Sequence, residues 1–295
     1  MFTWDKNVSN MFLSLIPSIS LHMIKKVRYK TLAKGYNRMK VRIKFAKYGA
    51  MKFIGHLDMM RFFQKAVRRA EIDMKYSEGF SPHQIMSFAA PLGVGIESRG
   101  EYMDLEVLSM SAPEDMKDAL NRVMVEGVEV LAVNVLPDQT KNAMASVAAA
   151  SYQIHLKEGN FGVPDLASSV ASFYAQAQIP YTKETKKSTL EIDLKQGIYS
   201  MEAGETSVLT EIMSAAAAML LPEPTENRMT VPCIRMTVDA SSGGNIKPTV
   251  VFEEFCAFAG CDIPVSDIQV TRLETYTNLA KDGEPRQLVP LLLQN

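Results

Sequence analysis

A short segment at positions 76–83, Tyr-Ser-Glu-Gly-Phe-Ser-Pro-His, is the part of the chain richest in groups that could bind a ligand. Its glycine and proline also fit an ordinary turn. Tyr76 and Phe80 have the aromatic faces on which nucleobases stack, and His83 could hydrogen-bond a phosphate or transfer a proton. Because binding residues concentrate on loops between rigid elements, we predict a nucleic-acid site with Tyr76 and Phe80 as contacts.

A second chemical candidate is His56, which follows Gly55 at the start of a predicted helix and precedes Asp58 by two positions. A histidine at a helix N-terminus can contact an anion or act as a general acid or base. Packing or capping explains the same residue equally well. The spacing identifies no activated Ser or Cys nucleophile, so His56, Asp58 and His83 are weak catalytic candidates and a catalytic role is unknown.

A glycine-rich turn at 241–248 lies between a predicted strand and a predicted helix. Small residues allow backbone N–H groups to approach an anion, and a helix N-terminus favours negative charge. The spacing is neither that of a phosphate-binding P-loop nor that of a dinucleotide fingerprint, and a tight turn is an equal alternative. The predicted anion-binding residues are Ser242, Gly243, Gly244, Asn245 and Lys247.

The three cysteines, Cys233, Cys256 and Cys261, are too few and too irregularly spaced for a disulfide framework. This pattern favours a reducing compartment, and we expect a cytoplasmic protein. A zinc or iron–sulfur site would need further ligands. We therefore expect no metal and no cofactor bound by this chain alone.

Charge is distributed very unevenly along the chain. Residues 1–100 contain 18 Lys and Arg against 6 Asp and Glu, whereas residues 101–295 contain 14 against 27. The basic part favours an anionic partner such as nucleic acid, although the two halves could instead attract each other. Four basic residues share one face of the helix predicted over 56–70, and we predict that they contact phosphates: Arg61, Lys65, Arg68 and Arg69.

These residues need a scaffold, and the hydrophobic pattern predicts one. The 47% hydrophobic content of a 295-residue chain suits two domains. In the first, alternation from 39 to 46 predicts a strand, and apolar spacing predicts a helix over 56–70. Further strands over 84–90, 101–108 and 128–135 and a helix over 113–125, capped by Ser111, complete a βαββαβ order. That order predicts an α+β, ferredoxin-like module over 39–136.

The second half repeats the order, which predicts another ferredoxin-like module over 151–277 with an antiparallel sheet. Strands are predicted over 152–156, 190–201 with a bend at 195–197, 231–238 and 268–276, and helices over 164–178 and 248–259. A segment at 203–229 reads as an insertion that includes a helix over 208–221. We predict a linker at 137–150, which could be helical, and a C-terminal tail at 278–295.

Residues 1–38 are predicted to be a poorly ordered extension. Their apolar stretch is too short for a membrane-spanning helix and contains Pro17. We expect no membrane partner, with a surface anchor as the lesser alternative.

The chain resembles the bacterial radical-SAM-linked proteins, a family of unknown function encoded beside or fused to a cobalamin-binding radical SAM protein. The resemblance spans about 39–276 and is carried by 40–45, 53–58 with Arg61, 66–70, 76–82, 87–95, 97–98, 101–102 and 243–248. His83 and Gln84 depart from the family pattern, in which Pro or a basic residue is expected. The resemblance implies a radical SAM partner. The doubled fold also resembles CRISPR RNA-processing endonucleases, by fold analogy alone.

Three functional hypotheses follow. The first is an accessory protein that binds RNA and presents it to a radical SAM partner. The second is an RNA-processing or RNA-modifying enzyme, and the third is a subunit that only docks a protein partner. Charge, the aromatic segment and the resemblance favour the first.

Overall fold

A computed structural model describes residues 38–184, 189–209, 228–281 and 283–293. The protein is mixed α+β with a mostly antiparallel sheet. The strands are β1 (Met39–Lys47), β2 (Met86–Phe88), β3 (Glu97–Val107), β4 (Val128–Leu136), β5 (Ala149–Leu156), β6 (Pro180–Glu184), β7 (Thr189–Asp193), β8 (Ile198–Leu209), β9 (Arg228–Asp239), β10 (Ile268–Asn278) and β11 (Leu288–Pro290). The helices are α1 (His56–Arg69), α2 (Pro113–Asn121), α3 (Ala143–Ser146), α4 (Leu166–Tyr174) and α5 (Pro248–Ala259).

The main sheet has the order β4-β1-β3-β10-β5-β9-β8, with β2 paired to β3 and β11 paired to β10. Strand β1 lies between β3 and β4 and is antiparallel to both. Its alternating Val41, Ile43 and Phe45 are fully buried, as the period-two pattern predicts.

The two halves of the sheet meet at one short parallel contact, in which Thr271 and Arg272 of β10 pair with Glu97 and Ser98 of β3. The backbones approach very closely beside it. A Cβ atom on Gly100 would lie 2.5 Å from Cα of Glu274, so this position requires glycine.

Helices cover two separate cores. In the first half, Met59, Phe63 and Val67 of α1 pack with the apolar side chains of β1 and β3. In the second half, Phe252 and Phe255 of α5 pack with those of β5, β9 and β10. The helix limits predicted for α1 and α5 agree with the structure within one residue.

Several predicted elements were wrong in detail. The bent strand over 190–201 is two strands: β7 pairs with β6 in a separate two-stranded sheet, and β8 pairs with β9. Ser111 does not cap α2, because the N-cap residue is Ala112 and it makes no side-chain hydrogen bond. Helix α2 also ends at Asn121, and the strand predicted over 84–90 is limited to β2.

The segments predicted as linker and tail form part of the packed fold. Residues 137–150 contain α3 and the beginning of β5, and Ala143 is fully buried. Residues 288–290 of the predicted tail form β11, and Leu291 is fully buried in a small cluster with Ala143 and Tyr102. Both segments therefore cover the sheet.

Two predicted segments fall largely outside the described residues. The N-terminal extension reaches them only at Arg38. Of the predicted insertion at 203–229, residues 203–209 belong to β8 and residues 228–229 to β9. The helix predicted over 208–221 otherwise lies outside the described part of the chain.

Candidate nucleic-acid interface

The segment between α1 and β2 forms a closed loop, which we call the aromatic loop (residues 76–83). Its base is an antiparallel bridge between Tyr76 and Gln84. The Ser77 amide donates to the His83 carbonyl at 2.8 Å, and the His83 amide donates to Ser77 Oγ at 3.1 Å. The Ser77 hydroxyl also lies 2.8 Å from His83 Nδ1. His83 therefore closes the loop.

The aromatic loop exposes both of its rings. Phe80 has 112% relative exposure, and Tyr76 has 45%. Gly79, just before the tip, has φ of 109°, a conformation that favours glycine. Because Phe80 contributes nothing to the core, its aromatic face is available to a ligand.

The four basic side chains of α1, which we call the basic face, are all exposed, as predicted: Arg61, Lys65, Arg68 and Arg69. Arg61 pairs with Asp58 at 3.2 Å, and Arg68 Nε donates to the Gln64 carbonyl at 3.0 Å. Arg69 donates to the Val123 carbonyl at 3.1 Å. Exposed contacts of this kind are weak, so these cations can exchange them for phosphate oxygens.

The three catalytic candidates do not come together. His56 packs edge-on against Phe88, with ring centroids 5.4 Å apart. Asp58 is paired with Arg61, and residues two apart on a helix do not face each other. His83 is engaged with Ser77 in the aromatic loop. Among these three residues, the geometry therefore shows no His–Asp pair for proton transfer.

The predicted anion-binding turn, which we call the glycine loop (241–247), surrounds a carboxylate of the chain itself. The Ser241 amide and hydroxyl both donate to Asp239 Oδ1, at 2.8 and 2.6 Å. A Cβ atom on Gly244 would lie 2.5 Å from the same carboxylate. The Asn245 amide donates to the Ser241 carbonyl, and the Ile246 amide donates to the Asp239 carbonyl at the end of β9. The Asp239 carboxylate and the amides that already donate hydrogen bonds within the chain disfavour an anion at this turn. Anion binding stays a prediction for the residues named from the sequence: Ser242, Gly243, Gly244, Asn245 and Lys247.

Because loops at corresponding ends of two predicted modules can converge on one cleft, we also expect the aromatic loop and the glycine loop to share one. A cavity of about 550 Å³ lies between residues 137–148 and the end of β10. A second, of about 380 Å³, lies between the end of α1 and the start of α2. Neither of these two cavities is lined by residues of the aromatic loop or of the glycine loop.

Buried ion pairs at the junction of the two halves were missed by sequence reasoning. Arg42 is fully buried, and its Nε and a terminal nitrogen donate to the two carboxylate oxygens of Asp104 at 2.7 and 3.0 Å. It also donates to the carbonyls of Leu291 and Lys141. Arg42 lies between the buried positions Val41 and Ile43, where a period-two pattern indicates the solvent-facing side of the strand, but the side chain is buried and contacts Lys141 and Leu291.

Glu274 is the centre of a second such group. It accepts from Lys44 Nζ at 2.5 Å and from the Tyr102 hydroxyl at 2.7 Å. Burial and the adjacent Glu274 carboxylate raise the pKa of Tyr102 far above its ordinary value. These contacts connect β1 and β3 to β10 and so hold the two halves together.

A third pair joins Arg272 to Glu101 at 2.9 Å, and Arg272 Nε also donates to the Tyr152 hydroxyl at 3.1 Å. Lys47 lies nearby, and its pKa is lowered because burial disfavours the charged form. No sequence motif marks these pairs, because each partner is distant in sequence.

The chain belongs to a conserved bacterial family. The model of the family described as "Uncharacterized protein conserved in bacteria (DUF2344)" matches residues 40–248. No curated protein matches the chain. Within the described residues, no helix is long and apolar enough to cross a membrane, and no group of three or more His, Cys, Asp or Glu side chains is placed to hold a metal ion.

Proposed function

We propose that this member of the bacterial family is an RNA-binding accessory protein whose contact surface is formed by the aromatic loop and the basic face. The observation that carries the proposal is the exposure of Phe80 at the tip of a hydrogen-bonded loop. A fully exposed phenylalanine at the tip of a loop can stack on an unpaired base.

Electrostatics supports the same proposal. The basic face lies on the helix that precedes the aromatic loop, with residues 70–75 between them, and its exposed cations would release counterions on binding phosphates. Single-stranded RNA needs both features, since its bases stack on aromatic rings while its backbone follows positive charge.

We further propose that the two halves are ferredoxin-like modules over 39–136 and 151–277, joined by 137–150. The strand orders β4-β1-β3-β2 and β10-β5-β9-β8 support this assignment, because each is the arrangement expected of a βαββαβ sheet. In this arrangement the aromatic loop connects the first helix of module one to its second strand.

The role that we propose for the bound RNA is presentation to a cobalamin-binding radical SAM protein in the cytoplasm. The resemblance described above supports the partner, and the separation of His56, Asp58 and His83 favours an accessory over an enzyme. A subunit that only docks a protein would use the same surface without RNA, and an RNA-binding assay distinguishes the two.

The test is to measure RNA affinity and thermal unfolding on the same preparation of Phe80→Ala. Loss of stacking should weaken binding of a single-stranded RNA by about 1 to 3 kcal/mol, or roughly one to two decades in Kd. Stability should stay within about 0.5 kcal/mol of wild type, as for other exposed positions.

Phe258→Ala is the matched control. Phe258 is 47% exposed on α5 and contacts Phe173, with ring centroids 5.6 Å apart. This variant should lose some stability and keep wild-type affinity. Unchanged RNA affinity in Phe80→Ala, or no measurable RNA binding by the wild-type chain, would contradict the proposal.

A further inference from the structure

The residue that closes the base of the aromatic loop carries an unexplained buried amide. Gln84 is only 7% exposed, and neither its Oε1 nor its Nε2 has a hydrogen-bond partner among the described residues. A buried amide without partners is unfavourable in free energy, so such groups in a folded protein require an explanation.

The position of Gln84 in the loop suggests an explanation for its buried amide. Gln84 is bridged to Tyr76 across the base of the loop, and side chains that are directly opposite in an antiparallel pair lie on the same face, about 4.5 to 5.5 Å apart at Cβ. An exposed aromatic ring therefore lies beside an amide whose NH₂ group can donate and whose oxygen can accept hydrogen bonds.

The charges on the loop point to a base rather than to a phosphate. Between positions 76 and 83 the loop carries Glu78 and no Lys or Arg, so its tip repels a phosphate. Lys75, immediately before the loop, pairs with Glu106 at 3.5 Å. We therefore expect the phosphates to contact the basic face of α1 and not the aromatic loop.

We propose that Tyr76 and Gln84 form a recognition site for one unpaired adenine base of RNA, an inference that rests on the proposed function. The base stacks on the Tyr76 ring, its N6–H donates to Gln84 Oε1, and Gln84 Nε2–H donates to a ring nitrogen. Glutamine pairs with adenine in this two-bond manner. The edge of an unpaired base is free to do so.

Both amide atoms are covered in this conformation, so binding of the base requires the groups that cover Gln84 to move aside. The bonds between Ser77 and His83 that close the neighbouring loop lie at the surface.

The experiment measures fluorescence anisotropy of labelled 12-nucleotide RNA homopolymers, oligo(A), oligo(U) and oligo(C), with the full chain. Wild type should bind oligo(A) about tenfold more tightly than the others, as expected for one two-bond contact. Gln84→Met keeps the length of the side chain and removes the amide. It should lose the preference for oligo(A), keep its affinity for oligo(U), and have a thermal midpoint that does not fall.

Gln153→Met is the matched control, because Gln153 is also buried, at 9% exposure, and its Nε2 donates to Thr206 Oγ1 at 2.8 Å. It should lower the thermal midpoint and keep the preference. Equal binding of all three RNAs by wild type, or a preference that survives in Gln84→Met, overturns this inference and leaves RNA binding standing. Absence of binding to all three overturns the inference and the proposed function together.

Discussion

Replacing Arg42 with methionine would test whether the buried ion pairs hold the fold together. Arg42 is fully buried and donates four hydrogen bonds: two to Asp104 and one each to the carbonyls of Leu291 and Lys141. Without the guanidinium, the Asp104 carboxylate keeps the Ala143 amide, which donates to it at 2.7 Å. Its negative charge would remain buried without a cation.

The expected cost follows from this geometry. Breaking a buried pair by removal of one partner costs about 3 to 5 kcal/mol, because the remaining charge is uncompensated. Urea unfolding followed by circular dichroism would measure the change as a lower midpoint. Arg42→Met/Asp104→Leu removes both charges and should recover part of the loss, since paired replacement by apolar side chains is often neutral, while the buried Ala143 amide loses its acceptor.

Arg38→Met is the matched control. Arg38 lies one residue before β1 and pairs with Glu106 at 3.5 Å, with its side chain 53% exposed, so its loss should cost under about 1 kcal/mol. If Arg42→Met cost no more than Arg38→Met, the ion pair would not stabilise the fold and the reasoning would be refuted.

Two further predictions concern the junction and its surroundings. Leu291→Ala should lower the free energy of unfolding in urea by about 2 to 5 kcal/mol, because Leu291 is fully buried. Leu293→Ala should be nearly neutral, because Leu293 is 61% exposed. Equal effects of the two changes would mean that the C-terminal segment does not pack as described. Burial lowers the pKa of His155 below its ordinary 6.5. The unfolded state therefore binds more protons, and the free energy of unfolding should fall as pH drops below about 6.5. His155→Gln should reduce this fall, and an unchanged pH profile of stability in this variant would contradict the prediction.

The local pattern of the sequence was sufficient for elements whose buried face repeats regularly. Val41, Ile43 and Phe45 marked β1, and the apolar spacing in α1 and α5 marked both helices. It failed where a distant segment determines the environment. Arg42 alternates with the buried side chains of β1, yet it is itself buried and donates to the carbonyls of Lys141 and Leu291. β11 is three residues long and exists because β10 offers it a partner.

The candidate site was predictable to the same extent. The composition of the aromatic loop marked it as unusual, and the helical spacing of the basic face predicted its exposure. The burial of Gln84 and the role of His83 in closing the loop depend on cross-strand pairing, which no local pattern encodes. The glycine loop was proposed from small residues alone, and only the structure revealed the Asp239 carboxylate inside it.

The central claim, that this chain binds RNA through the basic face beside the aromatic loop, is tested most directly by the salt dependence of RNA affinity. The variant replaces Arg61, Lys65, Arg68 and Arg69 by Ala. The control replaces four exposed lysines elsewhere, Lys141, Lys157, Lys183 and Lys281, by Ala. Both variants lose four positive charges, so a difference between them reports position and not net charge.

Kd for a single-stranded RNA would be measured from about 50 to 200 mM salt. Each phosphate contact contributes about 0.7 to the slope of log K against log salt concentration, so loss of four contacts should reduce the slope by about 3. We predict this reduction and weaker binding in the basic-face variant, and an affinity and slope much closer to wild type in the control. A folded basic-face variant with the wild-type affinity and slope would contradict the account.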